Sequence, residues 1–274
     1  MSARLEIFVE GVGFWASRLP GWDVARAVLR GEAAAAAPAA AVTRPSPLLL
    51  PPAERRRAPD TVAVALEVAS RACENAGRDP KVLASVFASA NGDLPVEDAI
   101  CDTLAKNPAL TSPTKFHNSV HNAAAGYWTI ATGCMKPYTA LCGRDCTFGQ
   151  GLLESVAQAL SETAPVLFVT YDIESRGPVA TMQPSRGVLA GALVLSREER
   201  AANVARLTLE VREDAHPRQS EARAENAALV AGNAMIDALP LFEALADGKP
   251  RDLTQLLAPR MALSIRVTPL QRPQ

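Results

Sequence analysis

Residues 113–154 read PTKFHNSVHNAAAGYWTIATGCMKPYTALCGRDCTFGQGLLE. Their apolar spacing predicts a helix from Phe116 to Thr132, stopped by Gly133. Tyr138 to Cys142 follows as a buried strand, and Phe148 to Glu162 as a second long helix. Helix, apolar strand and helix in immediate succession point to a strand covered by helices.

Outward from this stretch the same alternation continues. Leu5 to Val9 reads as a strand closed by Gly11 and Gly13. Asp60 stands as an N-cap for a helix from Thr61 to Ala76, and Gly77 stops it. A strand at Leu83 to Ala88 ends in the turn pair Asn91-Gly92, and Pro95 starts a helix to Lys106. Val166 to Tyr171, Val188 to Leu195 and Val204 to Val211 read as strands. A helix from Ala222 to Ala246 and a strand from Met261 to Val267 close the chain. Fully apolar strands between helices predict an α/β fold, a mostly parallel central sheet with helices on both faces. Residues 31–59 are different: Pro38, Pro45, Pro47, Pro51, Pro52 and Pro59 follow an alanine run. Each proline removes a donor and restricts its predecessor, so the segment reads as a surface excursion. It ends in Arg55-Arg56-Arg57, a solvated turn.

The 274 residues are 48% apolar and 21% charged, with a net charge of -1, the profile of an ordinary globular protein. That balance lacks the basic footprint of a nucleic-acid binder. Glu6 and Glu10 interrupt any secretory leader, and the apolar run at Gly187 to Leu195 is too short for a membrane span. These features point to the cytoplasm. Five cysteines (Cys73, Cys101, Cys134, Cys142, Cys146) lack paired spacings and read as small buried residues.

The central stretch resembles the first half of a β-ketoacyl synthase, a thiolase-like condensing enzyme. Asn122-Ala123-Ala124-Ala125-Gly126 matches that family's N-x-A-A-G helix, and Tyr138-Thr139-Ala140-Leu141 matches its short strand before the nucleophile. The resemblance implies one thiolase-like α/β/α half, read here as a single domain over residues 1–274. It also implies that Tyr138, Thr139, Ala140, Leu141 and Cys142 form a dimer seam. Family members use a cysteine at a helix N-terminus, where the dipole favours the thiolate, to accept an acyl chain from a carrier protein. Two downstream histidines, or a His and an Asn, assist decarboxylation and hold developing charge.

Counted from Tyr138 in that register, the nucleophile position falls at Arg144, which cannot attack a thioester. Only His216 lies downstream, beside Pro217 in a polar stretch, and it reads as a loop residue. Cys142 and Cys146 are the alternative nucleophiles, two residues early and two residues late, each also readable as a small buried side chain. His117 and His121 have a metal-ligand spacing without the glutamate of HExxH. With Asn118 and Asn122 they read as a polar network fixing helix to loop, and no metal is expected. Gly149-Gln150-Gly151 lacks the third glycine and lysine of a phosphate loop, so these glycines read as close-packing positions. No cofactor is expected. Phe116, Tyr127, Trp128 and Phe148 stand around the seam strand, either as core or as a candidate tunnel gate.

A missing nucleophile with a kept framework is what the family's chain-length factors present. The resemblance therefore implies a non-catalytic subunit that pairs with an active ketosynthase in aryl polyene-like, type II fatty-acid or polyketide biosynthesis. Its partners would be that ketosynthase, or a second copy of itself, and an acyl carrier protein. Two other readings stay open. One is an active condensing enzyme using Cys142 or Cys146, with His117 or His121 as base. The other is a homodimeric scaffold whose Arg144 and Arg55 to Arg57 attract an acidic carrier.

Overall fold

The computed structural model describes residues 4–270. Its strands are β1 (Arg4–Ala16), β2 (Leu19–Pro20), β3 (Ala84–Ala88), β4 (Tyr138–Leu141), β5 (Val166–Asp172), β6 (Leu189–Ser196), β7 (Ala205–Glu213), β8 (Arg251–Ala258) and β9 (Met261–Pro269). They form one sheet in the order β4-β3-β5-β6-β1-β7-β9-β8, with β2 folded back on the end of β1. Among the described residues only β3–β4 and β3–β5 are parallel, and every other pairing is antiparallel. The expectation of a mostly parallel sheet is corrected to a mixed one. Parallel neighbours need a crossover connection; the chain is helical between β3 and β4 and between β4 and β5, whereas β5–β6, β6–β7 and β8–β9 follow one another without an intervening α-helix. An all-apolar strand reports burial on both faces, not direction: β6 is buried at all eight positions and is antiparallel to both neighbours.

Helices cover both faces, as expected of a thiolase-like layer. On one face lie α3 (Asp60–Ala76) and α6 (Ala123–Thr132), whose buried Val62, Leu66, Ala69 and Trp128 pack on Phe87, Leu167 and Val169. The other face carries α1 (Trp22–Leu29), α7 (Thr147–Ser161) and α9 (Leu239–Asp247), packed on Val86, Phe168 and Leu193. Neighbouring residues of β3 thus point into different cores, the period-2 alternation of a strand. β1 does not close at Gly11 and Gly13 but runs through them to Ala16. A Cβ on either glycine would collide with the backbone of α3 at Ala72 or Val68. The glycines let strand and helix touch directly.

The remaining helices are α2 (Pro52–Arg57), α4 (Leu94–Lys106), α5 (Pro113–Asn118) and α8 (Ala224–Ala227). The expected helix from Phe116 to Thr132 is two helices, α5 and α6, broken over residues 119–122. There Ser119 Oγ bonds the Phe116 carbonyl and the His121 ring reaches Ser89, local side-chain bonds that compete with helix. The expected helix from Ala222 to Ala246 is also broken. Gly232 sits at φ 78°, and Pro240 belongs in the first turn of α9, where its missing N–H is harmless. The β8 strand was not anticipated, although Leu253, Gln255 and Leu257 alternate inward along it. The proline-rich excursion does contain a short helix, α2, and is pinned by Arg44, whose guanidinium bonds Asp60 and the Arg55 and Ala58 carbonyls. Among the described residues no helix is long and apolar enough to cross a membrane.

The two ends of the sheet differ. At β8 the outer edge is covered: the Ser220 N–H bonds the Thr254 carbonyl at 2.9 Å, and Gln219 Oε1 accepts from the Leu256 N–H at 2.8 Å. At β4, among the described residues, β3 is the only strand bonded and the outer edge stays bare.

Candidate functional site

The parallel strands β4, β3 and β5 all end on one side, where open α/β sheets place their sites. From β4 the chain passes through Cys142 and Gly143 into a single 3-10 turn, Arg144–Cys146, and then into α7. Thr147 clamps this turn: its hydroxyl accepts from the Gly143 N–H at 3.0 Å and donates to the Arg144 carbonyl at 2.6 Å. Arg144 takes φ 52°, left-handed backbone that a side-chain-bearing residue seldom adopts. It is exposed, and among the described residues its guanidinium meets no carboxylate, Asp145 included.

Next to this turn, Ser89 to Gly92 after β3 are gathered on Asp172 at the end of β5. The Asp172 carboxylate accepts from Ser89 Oγ (2.9 Å), the Ala90 N–H (2.9 Å) and the Asn91 N–H (3.0 Å). It is fully buried, and burial pushes it up to about 7 against the pull of those donors. His121 Nε2 lies 2.9 Å from the Ser89 carbonyl, and the Cys142 thiol donates to the Ala90 carbonyl at 3.2 Å. One loop therefore ties α6, β4 and β5 together.

The chemistry of the two cysteines differs from that of an activated thiol. Cys146 caps α7, but its thiol is pushed up, first by burial and then by Asp145 and Asp237. Asp237 is itself raised to about 6, by burial and by Asp145. Reactive thiolates need cationic surroundings, and these are anionic. Cys142 is exposed and spends its proton on a carbonyl. Among the described residues no hydrogen bond joins either cysteine to a histidine: His117 lies exposed against Tyr127, His121 is engaged by Ser89, and His216 stands on an exposed loop. No cluster of three or more His, Cys, Asp or Glu among the described residues could hold a metal.

The other sequence-predicted positions are only partly brought together. Asn118 accepts from the Tyr127 hydroxyl at 3.2 Å, and the Asn122 amide donates to the Tyr138 hydroxyl at 2.9 Å. With His121 these residues fasten the α5–α6 break to β3 and β4. They do so through separate partners, not as one network on one helix face, because the helix ends at Asn118. The four aromatics do not converge. Trp128 is buried against Phe87 on one side of the sheet and Phe148 against Phe168 on the other, while Phe116 is exposed. As a single tunnel gate the set is corrected: the sheet separates its members. Gly149 and Gly151 are close-packing positions, the first against the Leu256 backbone of β8, the second against Ala88 and Phe168. Of Arg55 to Arg57, Arg55 bonds the Leu50 carbonyl, and the other two remain in solvent. Sequence reasoning missed Asp172 and Asp237, whose partners are far apart in the chain and carry no local spacing signal.

A model of the β-ketoacyl synthase N-terminal domain matches residues 30–253. The chain belongs to this family. Comparison with curated proteins finds no match. Among solved structures, the family's fold recurs in the ketosynthase ApeO in complex with its chain length factor ApeC from Xenorhabdus doucetiae. The TM-score is 0.70 at 19% identity, covering 95% of this chain and 99% of that one. The ishigamide ketosynthase/chain length factor matches with TM-score 0.71 at 14% identity, covering 97% and 100%. The type II polyketide complex AntDE:AntF, an acyl-carrier protein with its hexaketide-bound ketosynthase, matches with TM-score 0.72 at 11% identity, covering 98% and 100%. At these identities the likeness is one of fold: a thiolase-like, mixed α/β layer.

Proposed function

We propose that this member of the β-ketoacyl synthase family is a non-catalytic subunit, similar to a chain-length factor. It pairs with an active ketosynthase in type II, aryl polyene-like biosynthesis in the cytoplasm, where an acyl carrier protein delivers the chain. The observation that carries the reading is the head of α7. In the register set by Tyr138 the nucleophile position is Arg144, and the thiol in the helix cap is discouraged from ionising first by burial and then by Asp145 and Asp237. Support for pairing comes from the bare outer edge of β4. Half of the large apolar side chains left exposed among the described residues also fall between residues 104 and 138, among them Ile130 and Met135. Exposed apolar side chains, Tyr138 on the open strand among them, suit a protein interface.

The test is co-production with a ketosynthase encoded beside it, followed by malonyl-dependent elongation with and without this chain. Cys142→Ala/Cys146→Ala should copurify with the ketosynthase and keep elongation within about 2-fold of wild type. Acyl loading on this chain that vanishes in the double variant would make it an enzyme and overturn the reading.

A further inference from the structure

We infer that residues 219–223 form a strap that blocks a latent association edge on β8, an edge that would otherwise pair with β8 of a second copy of this chain. β8 is the last strand of the sheet, so its outer edge has no strand beside it among the described residues. Its main stretch, Leu253-Thr254-Gln255-Leu256-Leu257-Ala258, carries no charge and no proline. Edge strands are ordinarily blunted by such residues, and a six-residue segment without them is prone to pair with its like. Protection at β8 therefore has to come from outside the strand.

The strap supplies that protection largely through side chains. The Thr254 N–H donates to Ser220 Oγ at 2.8 Å, and the Leu256 N–H donates to Gln219 Oε1 at 2.8 Å. The Thr254 carbonyl accepts from the Ser220 N–H at 2.9 Å. A neighbouring strand would make all of these bonds with backbone groups. Two side-chain acceptors instead occupy the donors that a second copy would need, and they offer no new strand edge in return. The strap is anchored at Arg223. Its N–H donates to the Glu243 carboxylate at 3.1 Å, and its guanidinium bonds Asp247 and the Leu29 carbonyl. Glu243 is fully buried and also accepts from the Asn226 amide at 2.6 Å and from Arg251, the first residue of β8, at 3.0 Å. One carboxylate thus fastens the strap to the start of the strand it covers. Gln219 and Ser220 themselves are only half-buried, and residues 214–216 ahead of them are exposed. The cover can therefore be removed without touching the buried anchor.

The experiment compares full-length wild type with Gln219→Ala/Ser220→Ala, which removes both side-chain acceptors and leaves Arg223 and Glu243 in place. Amide hydrogen exchange reads the cover, and light scattering over rising concentration reads assembly. The double variant should stay folded, exchange the Thr254 and Leu256 amides at least about 10-fold faster, and add mass beyond the wild-type species. Ser220→Ala alone, the milder change, should show both effects to a smaller degree. Thr254→Lys added to the double variant puts a charge on the uncovered edge, and should return the mass to that of wild type while exchange stays fast. Faster exchange with unchanged mass would mean that the edge is not adhesive, and would overturn the inference. Growth that Thr254→Lys does not reverse would place the contact elsewhere and overturn it too, as would exchange that stays at the wild-type rate. Mass is compared with that of wild type, paired or not, so the outcome stands apart from the pairing proposed at β4.

Discussion

Asp172 is a carboxylate under two opposed demands. Three donors converge on its oxygens, which favours the charged form, while complete burial favours the neutral one, and burial wins. A raised value means that the folded chain binds the proton more tightly than the unfolded chain. The stabilising contribution is then full below the ordinary value near 3.8, falls as pH rises, and is gone above about 7. Asp237, Asp93 and Glu97 are shifted in the same direction, chiefly by burial, and add to the slope. Urea unfolding should show stability falling between about pH 4 and pH 7, and Asp172→Asn should flatten that fall. Equal slopes in the two proteins would remove Asp172 from this role. None of this was legible in the sequence, because Asp172 closes an apolar strand and its partners lie about 80 positions earlier in the chain.

At the level of elements, β4 carries the clearest consequence. Its four residues are only partly buried, and one edge is satisfied by β3. Ala140→Asp should leave the fold intact, since the side chain is not sealed in the core, yet separate the proposed pair. An unpaired charge enclosed at a contact costs about 3–5 kcal/mol. Sedimentation would read this directly, and an unchanged association state would sink the assignment of β4 as the contact. Strands and single helices were legible where the pattern was local: β3, β4, β5, α4 and α7 fall within a residue or two of expectation. The breaks were not. Residues 119–122 leave the helix to reach Ser89 and Tyr138, and the path after α8 follows Gly232 and Pro240. These are tertiary demands that overrule helical spacing.

At the level of the whole molecule, the sheet joins two kinds of construction. β4, β3 and β5 are joined through helices, while β8 and β9 form a hairpin added beside β7 that brings the Leu256 backbone onto Gly149 of α7. Apolar content alone could not distinguish them: it placed β5 and β6 in the core without giving strand direction, and it over-read β4 and Cys142, which are partly or fully exposed. The sealed edge at β8 and the bare edge at β4 also bound how this protein assembles. Light scattering over rising concentration should plateau at the mass of two chains, alone or with a partner, and continued growth would contradict it. A molecule with a single available edge is a terminator of its own sheet. Once two copies, or one copy and a partner, have met there, neither side offers a further register to extend. In the proposed pair, the same geometry that admits one companion refuses a third and keeps a protein with one bare strand edge from growing into a fibre.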